Sequence, residues 1–90
     1  MYNKEILEKI NKLASLFFTI DEIATYLKLD IVQLKRDIRN RNLEVSDNYF
    51  KGKMEQIIEL RETTIEFAKK GSNYADQITK ELINNQKKDE

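Results

Sequence analysis

The side chains best suited to chemistry in this sequence are cationic, and they concentrate in one short segment. Residues 28–41 contain only two aspartates against five cations, which are Lys28, Lys35, Arg36, Arg39 and Arg41. The segments on either side of it are each net negative, although the whole chain is neutral. Because clustered Lys and Arg side chains neutralise backbone phosphates, this pattern predicts a nucleic-acid contact.

The remaining composition excludes most catalytic chemistry. The 90 residues include no His and no Cys, so the chain has no imidazole base, no disulfide and no Cys or His ligand for zinc. Asp and Glu are abundant, but no glycine-bearing loop or phosphate cradle accompanies them. We therefore expect no catalytic residues, no metal site, no cofactor and no enzymatic activity.

Helices must position the cationic segment, since no Pro and only two Gly interrupt the chain. Apolar spacing and cap residues predict helices at about 3–17, 20–27, 31–40, 48–70 and 73–86. We therefore predict an all-α fold with two parts. A three-helix helix-turn-helix domain, residues 1–43, precedes a helical hairpin used for oligomerisation, residues 44–90, which ends in a polar tail.

Local signals fix the expected helix ends. Thr19 and Glu22 match a capping box, Asp30 and Ser72 match N-caps, and Gly71 is able to end the fourth helix. Residues 42–46 are the expected linker, with Asp47 as the N-cap of the fourth helix. The predicted core of the first domain is formed by Ile6, Leu7, Ile10, Leu13, Ala14, Phe17, Ile23, Ala24, Leu27, Leu29, Leu34 and Ile38.

The third helix is the candidate recognition helix. Gln33, Arg36 and Asn40 recur at intervals of three and four, so they share a face that lies opposite the apolar positions. Amide side chains suit adenine and Arg suits guanine in a major groove, whereas the adjacent Lys35 and Arg39 suit phosphates. Two alternatives remain open, namely an ordinary solvated surface and a helical unit that binds protein.

The fourth helix carries an apolar arc that covers about half of its circumference. One partner helix with few apolar residues cannot cover so wide an arc, so the remaining neighbours are expected to be either the first three helices or other copies of the chain. The candidate subunit interface comprises Phe50, Met54, Ile57, Ile58, Arg61, Ile65, Ala68 and Leu82. On the opposite side lies an acidic stripe, Glu55, Glu59, Glu62 and Glu66. It is either a solvated face, a contact for basic residues of another protomer, or a surface that repels DNA.

Several short motifs in the C-terminal half resemble those of a known family. They are Tyr49-Phe50-Lys51-Gly52-Lys53, Leu60-Arg61, Phe67-Ala68-Lys69-Lys70-Gly71-Ser72, Ile78, Lys80-Glu81-Leu82 and Asn85-Gln86-Lys87. In this order they resemble the small subunit of tailed-bacteriophage terminases, in which a helix-turn-helix domain precedes a helical hairpin. With the N-terminal unit, the resemblance covers most of the chain.

The resemblance implies a non-catalytic protein that recognises viral double-stranded DNA and passes it to the large ATPase/nuclease subunit. It also implies a ring-shaped homo-oligomer in which the hairpins form the central wall. On this basis the five residues 33, 35, 36, 39 and 40 contact DNA. The expected location is the cytoplasm, that of the host if the protein is viral, with no membrane contact.

Two other functions remain open from the sequence. One is a small helix-turn-helix transcriptional regulator of a phage or bacterium, which has the same reading helix but forms a dimer on two half-sites. The other is a helical adaptor or structural protein that does not bind DNA.

Overall fold

The computed structural model describes residues 2–90, and within that range the chain is helical without strands. The helices are α1 (Lys4–Ser15), α2 (Ile20–Leu27), α3 (Ile31–Arg39), α4 (Glu44–Lys69) and α5 (Asn73–Asp89). The predicted all-α fold is confirmed. Two compact units divide the chain, one ending at Gln56 and the other spanning Ile57–Glu90.

The predicted starts of α2, α3 and α5 are present with the expected hydrogen bonds. The Glu22 N–H donates to the Thr19 hydroxyl at 3.1 Å, and the Glu22 carboxylate accepts from the Thr19 N–H at 2.9 Å. The Asp30 carboxylate accepts from the Gln33 N–H at 2.8 Å, which starts α3. Ser72 caps α5 in the same way. These caps satisfy backbone donors that a helix N-terminus leaves without partners.

The turn between α2 and α3 consists of residues 28–30. Lys28 adopts the left-handed conformation at φ 57° and its N–H donates to carbonyls of the last turn of α2. A residue with a Cβ atom costs about 1–2 kcal/mol in this conformation. Leu29 then packs against the core, and Asp30 begins α3. The two helices are thereby joined in the predicted helix-turn-helix order.

The core of the first unit is formed where α1, α2, α3 and the start of α4 meet. Ile10, Ile23, Ala24, Leu34, Ile38 and Val45 are almost completely buried. The Ser46 hydroxyl is also buried and donates to the Ile38 carbonyl at 2.6 Å, so its burial leaves no polar group without a partner.

Helix α4 starts three residues before the predicted N-cap Asp47. Residues 42–46 were the expected linker, but Glu44 begins the helix and Val45 is buried in the first core. Tyr49 and Gly52 are buried as well. The beginning of α4 therefore belongs to the N-terminal unit, which is larger than the predicted domain 1–43. Tertiary burial of Val45 and Tyr49 accounts for the earlier start.

Helix α1 ends earlier than predicted, and Phe17 is not part of the core. The helix stops at Ser15, Phe17 adopts the left-handed conformation at φ 62°, and its side chain is 47% exposed. The buried face of α1 is formed by Leu7, Ile10 and Ala14. The chain must reverse before the Thr19 cap of α2, which prevents α1 from continuing to residue 17.

In the second unit, α4 and α5 are joined by a short turn at Gly71, which has φ 97°. Among residues 57–90, Ala75 is the only buried residue. Helix α5 runs to Asp89 rather than ending near residue 86, and Lys87 and Lys88 in its last turn interact favourably with the helix dipole. No described helix is long and apolar enough to cross a membrane.

Candidate DNA-binding surface

The outward face of α3 combines three cations with one aliphatic side chain. Val32, Lys35, Arg36 and Arg39 line a shallow depression on the surface. Leu34 and Ile38 are fully buried on the opposite side of the helix. Because the core holds α3 by that side, the cationic face is oriented towards solvent along most of the helix length.

Lys35 is tied to α2 by an ion pair. Its ammonium nitrogen lies 2.8 Å from the carboxylate of Asp21, and both side chains are about half exposed. An exposed pair of this kind contributes about 0–1 kcal/mol to stability and is screened by salt. A phosphate group can therefore compete with Asp21 for Lys35 at little cost.

Gln33, on the predicted reading face, takes part in a hydrogen-bond network of the N-terminal unit. Gln33 is half-buried, and its amide nitrogen donates to the Asp37 carboxylate at 2.9 Å. Asp37 is itself buried and accepts a second hydrogen bond, at 2.6 Å, from the Tyr2 hydroxyl. Burial and the contact with Asp37 together raise the pKa of Tyr2 above its usual range, so the hydroxyl remains a donor.

This network corrects the expected role of Gln33. Residues 33 and 37 are four apart and therefore lie on the same flank of the helix. Because the Gln33 amide nitrogen donates to Asp37, a two-bond contact to adenine would require this hydrogen bond to break. The sequence pattern alone gives no indication that Asp37 is buried beside it.

The other predicted DNA-binding residues lie near the ends of α3. Lys28 is exposed in the turn before the helix, and Asn40 is the exposed C-cap residue after it. The Asn40 side chain accepts from the Asn42 N–H at 3.1 Å, so it is engaged in the turn. The guanidinium carbon of Arg41 lies 4.0 Å from the centre of the Phe50 ring, which is a cation–π contact.

Phe50 was predicted to lie in the subunit interface, but it packs within its own unit. It is half-buried against the first core, makes an edge-to-face contact with Tyr49, and has the Arg41 guanidinium over its ring. The long apolar arc on α4 therefore consists of two parts with different surroundings. Its beginning belongs to the N-terminal core, which a projection of the helix alone does not distinguish.

The remaining interface candidates lie along α4 and α5. Met54, Ile58, Arg61 and Ile65 are exposed, whereas Ile57, Ala68 and Leu82 are half-buried. Within the second unit, Arg61 and Ile65 line a cleft together with Leu82. Further exposed apolar residues on these two helices are Leu60, Phe67, Tyr74 and Ile83.

The acidic stripe on α4 faces solvent. Glu55, Glu59, Glu62 and Glu66 are all exposed. In the part of the chain that is described, the ion pairs involve other carboxylates, which are Glu5, Asp21 and Asp76. Four like charges on one stripe repel each other weakly unless a cationic partner is present.

Sequence reasoning missed Val32, which lines the same depression as the cations on the exposed face. The available signal was its spacing, because residues 32, 36 and 39 recur at intervals of four and three outside the apolar stripe. Among residues 2–90, no group of three or more acidic side chains is arranged to hold a metal ion. No protein-family model, curated protein or solved structure matches the chain.

Proposed function

We propose that this protein is a non-catalytic, double-stranded-DNA-binding protein of phage genome packaging that acts as a homo-oligomer. The observation that carries the proposal is the outward face of α3, where Lys35, Arg36 and Arg39 line the same depression as Val32 on a helix held by its opposite side. An α-helix fits the major groove, and cations along it neutralise flanking phosphates.

The small number of cations on α3 limits the affinity of a single chain for DNA. Three cations on α3 correspond to only a few phosphate contacts, so one protomer binds DNA weakly and its affinity falls steeply with salt. Several linked copies raise the overall affinity without any new kind of contact. The proposal therefore requires self-association.

The exposed apolar side chains of the second unit support self-association. Ile58 is 50% exposed and Phe67 is 54% exposed, although the unit buries only Ala75 completely. A two-helix unit with so small a core gains stability when its apolar face is covered by another copy. The Glu stripe lies on a different side of α4 and limits which surfaces are able to meet.

The resemblance to terminase small subunits supports the assignment to packaging rather than to another DNA-dependent process. It rests on the motifs within residues 49–87, which carry the pattern of a helical hairpin after a DNA-binding domain. In this role the protein binds viral DNA and recruits the large ATPase/nuclease subunit. A ring of protomers presents several α3 helices to the same DNA.

Fluorescence anisotropy with a labelled duplex over a series of salt concentrations tests DNA binding. Arg36→Ala combined with Arg39→Ala is expected to weaken binding about 30-fold at low salt, if each side chain contributes about 1 kcal/mol. The salt slope is expected to fall by about 2 if both contact phosphates. Lys87→Ala with Lys88→Ala removes the same charge from α5 and serves as the matched control.

Equal loss of affinity in both double variants would show that net charge, rather than α3, governs binding. If the wild type shows no salt-dependent binding at all, the proposal is wrong and an adaptor role becomes the better explanation.

Light scattering of the purified protein tests the assembly. We expect an oligomer larger than a dimer, and Ile58→Asp is expected to dissociate it, since a charge would be buried without a partner. Lys53→Asp, an exposed site on the same helix, is the control. A dimer that protects two half-sites about one helical turn apart would instead indicate a transcriptional regulator.

A further inference from the structure

Val32 stands out because it is an exposed aliphatic side chain on a cationic surface. It is 66% exposed and lies in the first turn of α3. Lys35, Arg36 and Arg39 line the same depression. Val32 is also absent from the hydrophobic core of the N-terminal unit and from the half-buried side chains that pack against that core.

Folding does not account for valine at this position. A β-branched residue loses side-chain freedom in a helix, and its helix propensity is about 0.5 kcal/mol lower than that of Ala. An exposed site recovers little of this cost by burial. The adjacent Ile31 is also β-branched but is less exposed, at 39%, and the exposed positions further along α3 carry Arg36 and Arg39, which are better helix formers.

Only one base of ordinary DNA offers an apolar group to a protein in the major groove. Thymine presents its C5-methyl group there, and small apolar side chains recognise thymine through contact with it. Residues near the N-terminus of a recognition helix are those that reach base edges, and Val32 is the second residue of α3.

We infer that Val32 contacts the C5-methyl group of thymine, so that the ligand of this surface is thymine-containing duplex DNA in B form. The inference rests on the proposed function and makes it more specific. The arginines on the same face hold the helix in the groove through phosphates or guanine, while Val32 distinguishes thymine from the other bases. Gln33 does not supply this discrimination, because its amide nitrogen donates to Asp37.

The inference also predicts that the protein binds DNA in preference to RNA. Uracil lacks the methyl group, and the major groove of an A-form helix is too deep and narrow for an α-helix to read. A double-stranded RNA of the same sequence is therefore expected to bind only through weak phosphate contacts.

The test compares thymine with uracil in an otherwise identical duplex. A 20-bp duplex is first selected from a random-sequence library by the wild-type protein, and a second version is synthesised with deoxyuridine in place of every thymidine. Dissociation constants are measured by anisotropy for the wild type, Val32→Ser and Lys35→Ala. Circular dichroism and light scattering confirm that each variant keeps its helix content and oligomer size.

For the wild type we expect the uracil duplex to bind about fourfold more weakly for each methyl group contacted, as expected for burial of one methyl group. Val32→Ser is expected to bind both duplexes with the weaker affinity. Lys35→Ala is expected to lose affinity for both duplexes while keeping the ratio between them. A duplex with 5-methylcytosine at the contacted position should restore part of the wild-type affinity.

Each other outcome overturns the inference in a distinguishable way. Equal binding of both duplexes by the wild type would show that no methyl group is read, while DNA binding itself stands. A thymine preference that persists in Val32→Ser would assign the contact to another residue. Absence of binding to either duplex would contradict the proposed function as well.

Discussion

Replacing Gly52 by alanine tests the close approach of α1 and α4 that holds the N-terminal unit together. A Cβ atom built on Gly52 lies 2.1 Å from the carbonyl oxygen of Asn11 and 2.9 Å from its carbonyl carbon. Both atoms belong to the backbone of α1, so no side-chain rotation relieves the overlap. The two helices have to separate by more than 1 Å to reach ordinary contact distances.

One favourable and two unfavourable effects determine the size of the stability change in Gly52→Ala. Alanine is favoured over glycine in the interior of a helix by about 1 kcal/mol. Overpacking costs about 1–3 kcal/mol, and the rigid backbone contact puts Gly52→Ala at the upper end of that range. Separation of the helices also weakens the hydrogen bond from the Asn11 amide to the Asn48 carbonyl, now 3.1 Å, which is worth about 1 kcal/mol.

The expected net change is a loss of about 2–3 kcal/mol in the free energy of unfolding of the N-terminal unit. For a unit of this size the melting temperature falls by about 10–20 °C. Thermal unfolding followed by circular dichroism measures it. Lys53→Ala, at the next position and exposed, is the matched control and should change stability by no more than about 0.5 kcal/mol.

Gly71→Ala provides a second comparison, because the two glycines are needed for different reasons. Gly71 has φ 97° and open space around its Cα atom, so alanine there is strained by its backbone conformation and not by a clash. An unchanged or higher melting temperature for Gly52→Ala would refute the reasoning, since it would show that α1 and α4 do not approach as closely as described.

Two further substitutions test the surroundings of α3. Burial and the carboxylate beside it raise the pKa of Tyr2, so this residue stabilises the folded state below its unfolded pKa of about 10 and this contribution is lost as the pH rises further. The stability difference between the wild type and Tyr2→Phe should therefore stay constant up to about pH 10 and shrink as the pH rises above it in urea unfolding, and a difference that stays constant above about pH 10 would contradict this. Asp21→Asn releases Lys35 from its ion pair and should raise DNA affinity about threefold at low salt. Asp76→Asn in α5 is the matched control, and equal effects of the two would show that only the total charge matters.

The sequence predicted those parts of the fold that depend on local interactions. The capping box of Thr19 and Glu22, and the N-caps Asp30 and Ser72, involve groups three residues apart, so residue types alone identify them. The left-handed glycine after α4 is a local signal of the same kind.

The predicted helix ends were wrong where contacts between residues far apart in the sequence determine the structure. The start of α4 is set by burial of Val45 and Tyr49 against α1 and α3, a contact that outweighs the cap signal at Asp47. Phe17 continues the apolar spacing of α1, but the chain reverses after Ser15 and exposes it. The spacing of apolar residues within one helix indicates neither the burial of Val45 and Tyr49 nor the chain reversal after Ser15.

In the candidate site, too, local features could be predicted from the sequence and tertiary contacts could not. The sequence located the cationic segment and its helix, because charge and periodicity are properties of the segment itself. It could not show that buried Asp37 binds the Gln33 amide, nor that Arg41 stacks on Phe50, since both depend on tertiary packing. Which cations face outward is decided by the side of α3 that the core covers.

The most direct test of the central claim is chemical footprinting of the arginines with phenylglyoxal in the presence and absence of duplex DNA. The chain contains only four arginines, at positions 36, 39, 41 and 61. We predict that DNA protects Arg36 and Arg39, whereas the reactivity of Arg61 in the second unit does not change. Protection of Arg61 alone, or equal reactivity of every arginine with and without DNA, would contradict the assignment of α3 as the DNA-binding helix.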